Sequence, residues 1–415
     1  MSTLLADPAH YLHGVPHTEF ARRRRELPVG WVDEVDLART DQDGARVSRG
    51  TGYWAVTRHA GVLAVSRAPE TFSSAERGAF LNDPRTKEDL ERNRQLLVNM
   101  DDPGHAWLRR LVGPAFKPRA IETLRASVRR HAREVVERAV SLGEIDVVTD
   151  LAAELPLLVL ADLLGMPRAD RRLLFDWSNN LVGFDDPRFG GGQVDVYRKT
   201  FADAFRYARE LADDRRRRPG EDLVSYLVAA ESDGRKLSEA QLCQLWLLLV
   251  IAGNETTRHL VSGGIAALIE HPDQLAYLVE HPDRLPVAVE ELLRWVTPIM
   301  QFRRTAMHDV ELDGAHIGAG DKVVLYYSSA NRDERVFAGP DRLDLSRVDN
   351  PHLAFGIGPH FCLGAALARM EAVEIFAALA PHLSTLRLTG PVQRMRSNFM
   401  NATAAMPARF DGTHE

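Results

Sequence analysis

The sequence has little cysteine: Cys243 and Cys362 are the two thiols among 415 residues. So few thiols exclude a small fold held together by several disulfides. Cys243 falls in an apolar helical segment, where a cysteine is expected to fill space in the core. The net charge is only −6, and the basic runs are not interleaved with aromatic residues. Nucleic acid is therefore not an expected partner.

Long apolar runs are missing as well. The longest, Leu245–Ala252, is far shorter than the roughly 20 residues that a membrane-spanning helix needs. The segment Met1–Arg25 has no apolar core of the kind found in signal peptides, and it becomes strongly basic. We therefore expect a cytoplasmic protein without a membrane anchor. Two arginine runs, Arg22–Arg25 and Arg215–Arg218, are predicted to be solvated faces or ends of helices.

A long helix is the clearest secondary-structure prediction. Ser238 and Gln241 form a capping-box pattern. The helix is predicted to cover about 239–270 and to end before Pro272. Roughly thirty helical residues extend on the order of 45 Å, which is enough to cross the whole molecule.

Poor helix formers interrupt the middle of this helix. Gly253, Thr256 and Thr257 have low helix propensity. The hydroxyl of Thr256 can donate to the carbonyl of Ala252 and bend or open the helix. Residues of low helix propensity in the middle of a helix often indicate a functional site. This segment is therefore a candidate functional site.

The most informative segment surrounds Cys362, which lies in the glycine-rich decapeptide Phe355–Gly364 and is followed by a helical run from Ala365. Glycine allows close backbone approach to a flat ligand. A helix that starts near the cysteine points free N–H groups at the sulfur and favours a thiolate. Such a thiolate suits the axial position of a haem iron. From these residues alone, a buried structural cysteine on a glycine-rich turn is the alternative.

Four segments resemble motifs of the cytochrome P-450 family, in the family's order. Phe355–Gly364 matches the haem-binding pattern F-G-x-G-x-[HR]-x-C-x-G at every fixed position. Ala252–Thr257 resembles the oxygen-activating segment, and Glu291–Arg294 matches E-x-x-R. Phe337–Arg342 resembles the meander, although Leu343 stands where the family usually has Phe. The resemblance extends from about residue 7 to residue 410.

The resemblance implies the fold and the cofactor. Length alone would suggest two or three domains. The family instead has one large domain, here 1–415, which is mainly α with small β-sheets and has the long helix lying over the haem. The implied cofactor is haem b. The residues implied to bind it are His105, Arg109, Ala252, Gly253, Arg304, Phe355, Gly356, His360, Cys362 and Gly364.

The resemblance also assigns roles. Cys362 would be the axial iron ligand. Basic partners would bind the haem propionates: His105 and Arg109, which share a helix face at i, i+4, together with Arg304 and His360. Surface ion pairs are the alternative for each of these, and Arg303 is the alternative to Arg304.

The implied chemistry on the other side of the haem uses the long helix. Glu255 and Thr256 match the family's acid–alcohol pair, which delivers protons, while Ala252 and Gly253 would leave room for dioxygen. A separate structural network would join Glu291, Arg294 and the meander residue Arg342.

The function implied is a haem-thiolate monooxygenase that oxidises a mainly hydrophobic small molecule with O2: a sterol, lipid, terpenoid or natural-product intermediate. The pocket would include the loop before His105, Leu249, Ala252, residues 299–302 and the region of Met400. An oxidative C–C or C–N coupling enzyme stays open as an alternative, as do, less favoured, a peroxide-driven enzyme and a non-catalytic haem sensor or carrier.

The electron source is expected to be a separate protein, because the sequence contains no flavin or nicotinamide motif. A ferredoxin, or a flavodoxin, with its reductase is the expected partner. Charge placement predicts that it docks near Arg110, Lys117 and Arg119.

Overall fold

The architecture is mainly helical, as the resemblance implies. The computed structural model describes residues 3–41, 44–84 and 86–411. Its α-helices are α1 His17–Glu26, α2 His59–Ser66, α3 Lys87–Asn93, α4 Gly104–Val112, α5 Pro118–Glu122, α6 Arg125–Leu142, α7 Glu154–Leu164, α8 Arg171–Val182, α9 Val194–Arg217, α10 Leu223–Ala229, α11 Glu239–Glu270, α12 Pro272–Glu280, α13 Leu285–Val296, α14 Tyr327–Ala330 and α15 Ala365–Leu383.

The strands are short and form small sheets. They are β1 Val29–Val32, β2 Leu37–Asp41, β3 Gly44–Ser48, β4 Tyr53–Val56, β5 Phe72–Ser73, β6 Glu144–Asp146, β7 Glu231–Ser232, β8 Arg235–Lys236, β9 Gln301–Ala306, β10 Val310–Leu312, β11 Ala315–Ile317, β12 Lys322–Tyr326, β13 Leu386–Leu388, β14 Gln393–Arg394, β15 Thr403–Ala405 and β16 Pro407–Phe410. The largest sheet has the order β1-β4-β12-β9-β5, and β13-β16-β6 form a second one. In the large sheet, β12 pairs parallel with β4 and antiparallel with β9, which fixes the position of the arginines on β9.

The long helix α11 has the predicted bounds and start. The Ser238 side chain accepts from the N–H of Gln241, and the Gln241 side chain accepts from the N–H of Ser238, which confirms the capping box. Trp246, Leu247 and Val250 of α11 are fully buried, and the helix packs against α7, α8, α9, α13 and α15. The helix therefore runs through the largest apolar core, and the chain forms one domain around it.

A buried ionic network lies at α13 and includes a residue that the sequence analysis did not name. Glu291 accepts two hydrogen bonds from Arg294, each 2.7 Å long, and both side chains are fully buried. The third member is Arg347, whose Nε lies 3.1 Å from the Glu291 carboxylate and whose side chain is 8% exposed. The Asn350 amide also donates to Glu291 at 3.1 Å.

The prediction that Arg342 is the third member of this network is wrong. Its side chain is 74% exposed and pairs with Asp344 at 2.8 Å. The backbone carbonyl of Arg342 does accept from Arg294 at 3.2 Å. The meander thus reaches the network through backbone at Arg342 and through a side chain five residues later, at Arg347, because the chain turns between them.

The arginine runs are not uniformly solvated. Arg23 and Arg24 are 3% and 2% exposed. Arg24 pairs with Glu334 at 2.9 Å and also donates to the carbonyl of Ser329. The prediction of solvated helix faces is therefore wrong for the middle of the first run. Among the described helices, none combines the length and apolar character that a membrane span requires.

Candidate active site

The loop around Cys362 is closed by its own backbone. The N–H of Cys362 donates to the carbonyl of Phe355 at 2.9 Å. Gly356 and Gly358 have φ of +67° and +74°, a region that residues with side chains rarely adopt. A Cβ at Gly358 would also lie 2.5 Å from the carbonyl oxygen of Ser66. These two glycines are therefore required by the turn itself.

The sulfur of Cys362 lies near the start of α15, which begins three residues later than the cysteine, after Gly364 as N-cap. Burial raises the pKa of the Cys362 thiol, while the Gly364 N–H, Arg109 and Arg369 act to lower it. The amide donor is present as predicted, and the charges of Arg109 and Arg369 add to its effect, but together they do not outweigh burial. A metal cation bound to the sulfur would supply the missing compensation, since a coordinating thiol is deprotonated.

Phe355 packs between charged and aromatic neighbours. The guanidinium of Arg369 lies 4.5 Å from the centre of its ring, and the ring of Phe361 lies 6.3 Å away. Phe361 is 38% exposed. An aromatic side chain thus reaches the protein surface directly beside the cysteine.

Basic side chains from three elements gather on one side of the loop. The rings of His105 and His360 lie 4.2 Å apart, and Arg109, one turn after His105 on α4, donates to the Phe361 carbonyl at 2.7 Å. Burial, and then the charges of Arg304, His105 and Arg109, lower the pKa of His360 to about 2. His360 is therefore neutral near pH 7 and lies among the side chains of Arg304, His105 and Arg109.

Two of these basic side chains lack a partner for a charge or a polar atom, and a ligand with carboxylates would supply one. Arg304 is 4% exposed, and its guanidinium donates to the carbonyl of Arg303 at 2.7 Å, with no carboxylate partner found in the described chain. The buried Nε2 of His105 likewise has no hydrogen-bond partner among the described residues. Buried charges are normally paired, and the propionates of haem would pair these. The residues present therefore fit haem.

The middle of α11 presents small side chains to the interior of the site. Ala252 is exposed although its helix is central, and Gly253 and Thr256 are partly exposed. The Thr256 hydroxyl donates to the Ala252 carbonyl at 2.7 Å, as predicted. A Cβ at Gly253 would lie 2.8 Å from the side chain of Leu160 on α7. Gly253 therefore allows the close approach of α11 and α7, a role the sequence analysis did not give, and a side chain at this position would displace the methyl groups of Leu160.

Glu255 lies on a different face of α11. Its carboxylate pairs with Arg258 one turn later and lies 3.3 Å from Nε2 of His259. Burial alone would raise the pKa of Glu255, but Arg258 and His259 lower it, and the net direction is downward. The sequence analysis missed Arg258, although its i, i+3 spacing from Glu255 is a signal that could have identified it.

Three phenylalanines from separate segments form an apolar wall. The rings of Phe80 and Phe399 lie 5.5 Å apart, as do those of Phe302 and Phe399, and all three side chains are partly exposed. An isolated β-bridge joins Ile299 to Met400 and brings two of these segments together. We call Phe80, Phe302 and Phe399 the phenylalanine wall. Phe80 was not identified from the sequence.

Ser74 is a further residue that the sequence analysis missed. Its hydroxyl lies 3.1 Å from Nε2 of His360, and its N–H donates to Asp101 at 2.8 Å. Nothing in the local sequence indicates a functional role for Ser74, because its partner lies 286 positions later in the chain. It fixes one edge of the His360 ring.

This chain is similar to known proteins over most of its length. The family model "Cytochrome P450" matches residues 192–408. A steroid C26-monooxygenase of Rhodococcus jostii is 39% identical over 95% of this chain and 82% of that protein. A methyl-branched lipid omega-hydroxylase of Mycobacterium bovis is 39% identical over 94% of this chain and 90% of its own. A solved cytochrome P450 of Mycobacterium marinum, in complex with pseudoionone, is 40% identical, covers 99% of both chains and has a TM-score of 0.90.

Proposed function

Since the chain belongs to the cytochrome P450 family of haem monooxygenases, we propose that it hydroxylates the terminal methyl end of a branched aliphatic chain on a sterol or lipid. Two relatives with 39% identity over nearly the whole chain support this. One is named for oxidation at C26 of a steroid, the other for omega-hydroxylation of a methyl-branched lipid. In steroid numbering C26 is a terminal carbon of the branched side chain, so both named reactions act at the end of a branched aliphatic chain. This common position is the single observation on which the proposal rests.

The phenylalanine wall supports an apolar substrate. Three partly exposed rings from separate segments can cover a hydrocarbon surface without offering it a hydrogen bond. Leu249, on the inner part of α11, is partly exposed as well. In this proposal the wall holds the substrate body, so that one end of it approaches Ala252 and Thr256.

The proposed cofactor contacts follow from the fit described above. Cys362 would bind the haem iron through its sulfur, and Phe355, Gly356 and Gly364 of the loop would surround this contact. His105, Arg109 and Arg304 would pair with the propionates, and His360 would contribute a neutral hydrogen bond. When bound, haem would supply the iron that activates dioxygen.

The proposed work of the protein is positioning and proton delivery. Ala252 and Gly253 have no bulky side chains, so substrate and dioxygen can approach the inner face of α11 closely. Thr256 would hold a proton at Oγ1 close to the reacting oxygen. Glu255 would supply protons to this hydroxyl through water, after leaving the partners it has in the described geometry.

Electrons are proposed to come from a ferredoxin or flavodoxin with its reductase. The proposed docking surface comprises Arg110, Lys117 and Arg119, all exposed, with the exposed Phe361 ring beside Cys362 as an apolar contact. Glu substitutions at the three cations should slow the first reduction step at low salt; an unchanged rate would reject this surface. A cytoplasmic location stays a prediction.

The test compares substrates and follows the oxygen. Purified protein with a surrogate ferredoxin system would be offered a sterol with a branched side chain, a methyl-branched fatty acid and a linear fatty acid of equal length. Hydroxylation at the branched terminus, with 18O from labelled dioxygen in the product, is expected. Oxidation without label would instead favour oxidative coupling, and equal turnover of the linear acid would overturn the branched-chain proposal.

A further inference from the structure

One segment of the phenylalanine wall is attached to the large sheet by an arginine. Phe80 lies in the stretch 79–83, which precedes α3. The N–H of Arg303 on β9 donates to the carbonyl of Ala79 at 2.8 Å, and the guanidinium of Arg303 donates to the carbonyl of Leu81 at 3.3 Å. Phe80 is therefore held between two residues whose carbonyls both bind the same arginine.

Asp83 extends this attachment to a second strand. Its carboxylate lies 2.7 Å from Nη1 of Arg303 and 3.1 Å from Nζ of Lys322 on β12. Lys322 also contacts the carboxylate of Glu34 at 2.8 Å. Burial alone would raise the pKa of Asp83, but Arg303 and Lys322 lower it. We call Asp83, Arg303, Lys322 and Glu34 the charge clamp.

The charge clamp combines two carboxylates with two cations. Arg303 and Lys322 are buried, whereas the side chain of Asp83 is 35% exposed. Removing one partner of a buried ion pair leaves a charge without compensation, which is costly. The two buried cations of the sheet therefore favour the one position of Asp83 in which both are paired, and the segment that carries Asp83 is ordered with it.

Strand β9 contributes to the charge clamp and to the phenylalanine wall from neighbouring residues. Phe302 and Arg303 are adjacent on β9, and successive side chains of a strand point to opposite faces. The Phe302 ring lies 6.1 Å from the Phe80 ring, while Arg303 binds the segment that carries Phe80. This strand therefore sets where Phe80 lies relative to Phe302.

Resting on the proposed function, we propose that Asp83 is a positioning residue for substrate binding. Through the charge clamp it fixes the segment 79–83 on the large sheet, so that the Phe80 ring stays within the phenylalanine wall. Because the ring is ordered before the substrate arrives, binding does not have to immobilise it. Asp83 acts on substrate affinity through Phe80 alone.

The first test follows the Phe80 ring and needs no turnover. The holoprotein would carry 4-fluorophenylalanine at position 80, and its fluorine resonance would be recorded without substrate. One sharp resonance is expected for wild type and for Asp83→Glu, which keeps the charge. Asp83→Ala should split the resonance or shift it towards that of the urea-unfolded protein, because the ring is released. An unchanged resonance in folded Asp83→Ala would overturn the proposal.

The second test is a double-mutant cycle on substrate affinity, with cholesterol as the probe and the Soret shift as the readout. Asp83→Ala should raise the dissociation constant roughly tenfold, and no more than Phe80→Ala does, since the ring contributes only what its own burial provides. In the Phe80→Ala background, adding Asp83→Ala should change the constant less than about twofold. Equal losses in both backgrounds would mean that Asp83 does not act through Phe80.

Two further variants separate positioning from a general loss of stability. Asp321, one residue before Lys322, accepts from Trp54 and from the N–H of Gly318 at 2.9 Å each. Asp321→Ala should lower the free energy of unfolding and leave both readouts unchanged. If Asp83→Ala fails to fold because it strands the buried charge of Arg303, Asp83→Ala/Arg303→Gln removes that charge as well and should show the same released ring.

The fluorine result does not depend on the proposed function. If cholesterol binds but no branched substrate is hydroxylated, the proposed function fails while the role of Asp83 stands. If cholesterol gives no Soret shift in wild type, that result counts against the proposed function, and the fluorine resonance of Asp83→Ala decides whether Asp83 positions Phe80. A carbon monoxide difference spectrum checks folding and haem in every variant.

Discussion

Arg303 and Arg304 are neighbours on β9, but their side chains lie on opposite faces of the sheet. Arg303 pairs with Asp83 at 2.7 Å. Arg304 donates to the Arg303 carbonyl, and its charge acts on His360 near the cysteine. Alternation along a strand separates two adjacent arginines into a structural ion pair and a proposed cofactor contact.

The two arginines should therefore respond differently to the same substitution. Arg304→Gln is expected to weaken haem retention by roughly tenfold or more, since one charged hydrogen bond to a carboxylate contributes about 1.5–3 kcal/mol. Arg303→Gln should leave haem affinity unchanged and lower the free energy of unfolding. Haem transfer to apomyoglobin and chemical denaturation measure the two quantities. Equal haem loss in both variants would contradict the assignment.

The network at Glu291 predicts which meander arginine matters. Arg347→Met leaves part of the Glu291 charge unpaired and should cost about 3 kcal/mol, at the low end for breaking a buried ion pair. Arg342→Met is the matched control and should cost less than about 0.5 kcal/mol, because its side chain is on the surface. Urea denaturation of both variants measures this. A larger loss in Arg342→Met would restore the original prediction.

Thr256 is expected to matter for coupling more than for stability. Thr256→Ala removes the hydroxyl that the proposal places near the reacting oxygen, so hydroxylated product per electron pair should fall by roughly 100-fold. Hydrogen peroxide should be released instead. Thr256→Ser keeps the hydroxyl and is the control. Normal coupling in Thr256→Ala would exclude a proton-delivery role.

The phenylalanine wall predicts where substrate affinity arises. Phe302→Ala should weaken binding of a branched sterol or lipid by roughly tenfold or more, since full burial of such a side chain contributes about 1.5–3 kcal/mol. Leu388→Ala, at a side chain that is 38% exposed on the surface, is the control. Titration of the Soret shift measures both dissociation constants. Unchanged affinity in Phe302→Ala would place the substrate elsewhere.

Glu371 predicts a pH dependence of stability. Burial raises its folded pKa to about 8, above the unfolded value of about 4.3. Between these values the folded state binds more protons than the unfolded state, so stability falls as pH rises, by at most about 1.4 kcal/mol per pH unit. Glu371→Gln should remove this slope, which denaturation midpoints from pH 5 to about pH 8 would show.

Glu374, one turn later on α15, is the control for Glu371. Burial alone would raise its pKa, but Arg129 and Arg125 lower it. Its contribution to stability is therefore present above its unfolded pKa and lost only at more acid pH. Glu374→Gln should keep the wild-type slope between pH 5 and about pH 8. A changed slope in this variant would mean that the Glu371 assignment is wrong.

Local sequence was sufficient for features that depend on neighbours along the chain. The capping box at Ser238, the extent of α11 and the hydrogen bond from Thr256 to Ala252 each involve residues within four positions, so spacing alone predicted them. The glycine turns before Cys362 belong to the same class. Backbone geometry over a few residues is set by those residues.

Contacts between distant segments could not be predicted in this way. Three contacts depend on where the chain folds back: Arg347, and not Arg342, reaches Glu291; Leu160 packs closely on Gly253; and Ser74 contacts His360. The sequence by itself determined the extent of α11, the turn before Cys362 and which chemical groups are available. Tertiary packing alone decided which charges are buried together, because burial and pairing depend on neighbours in space and not along the chain.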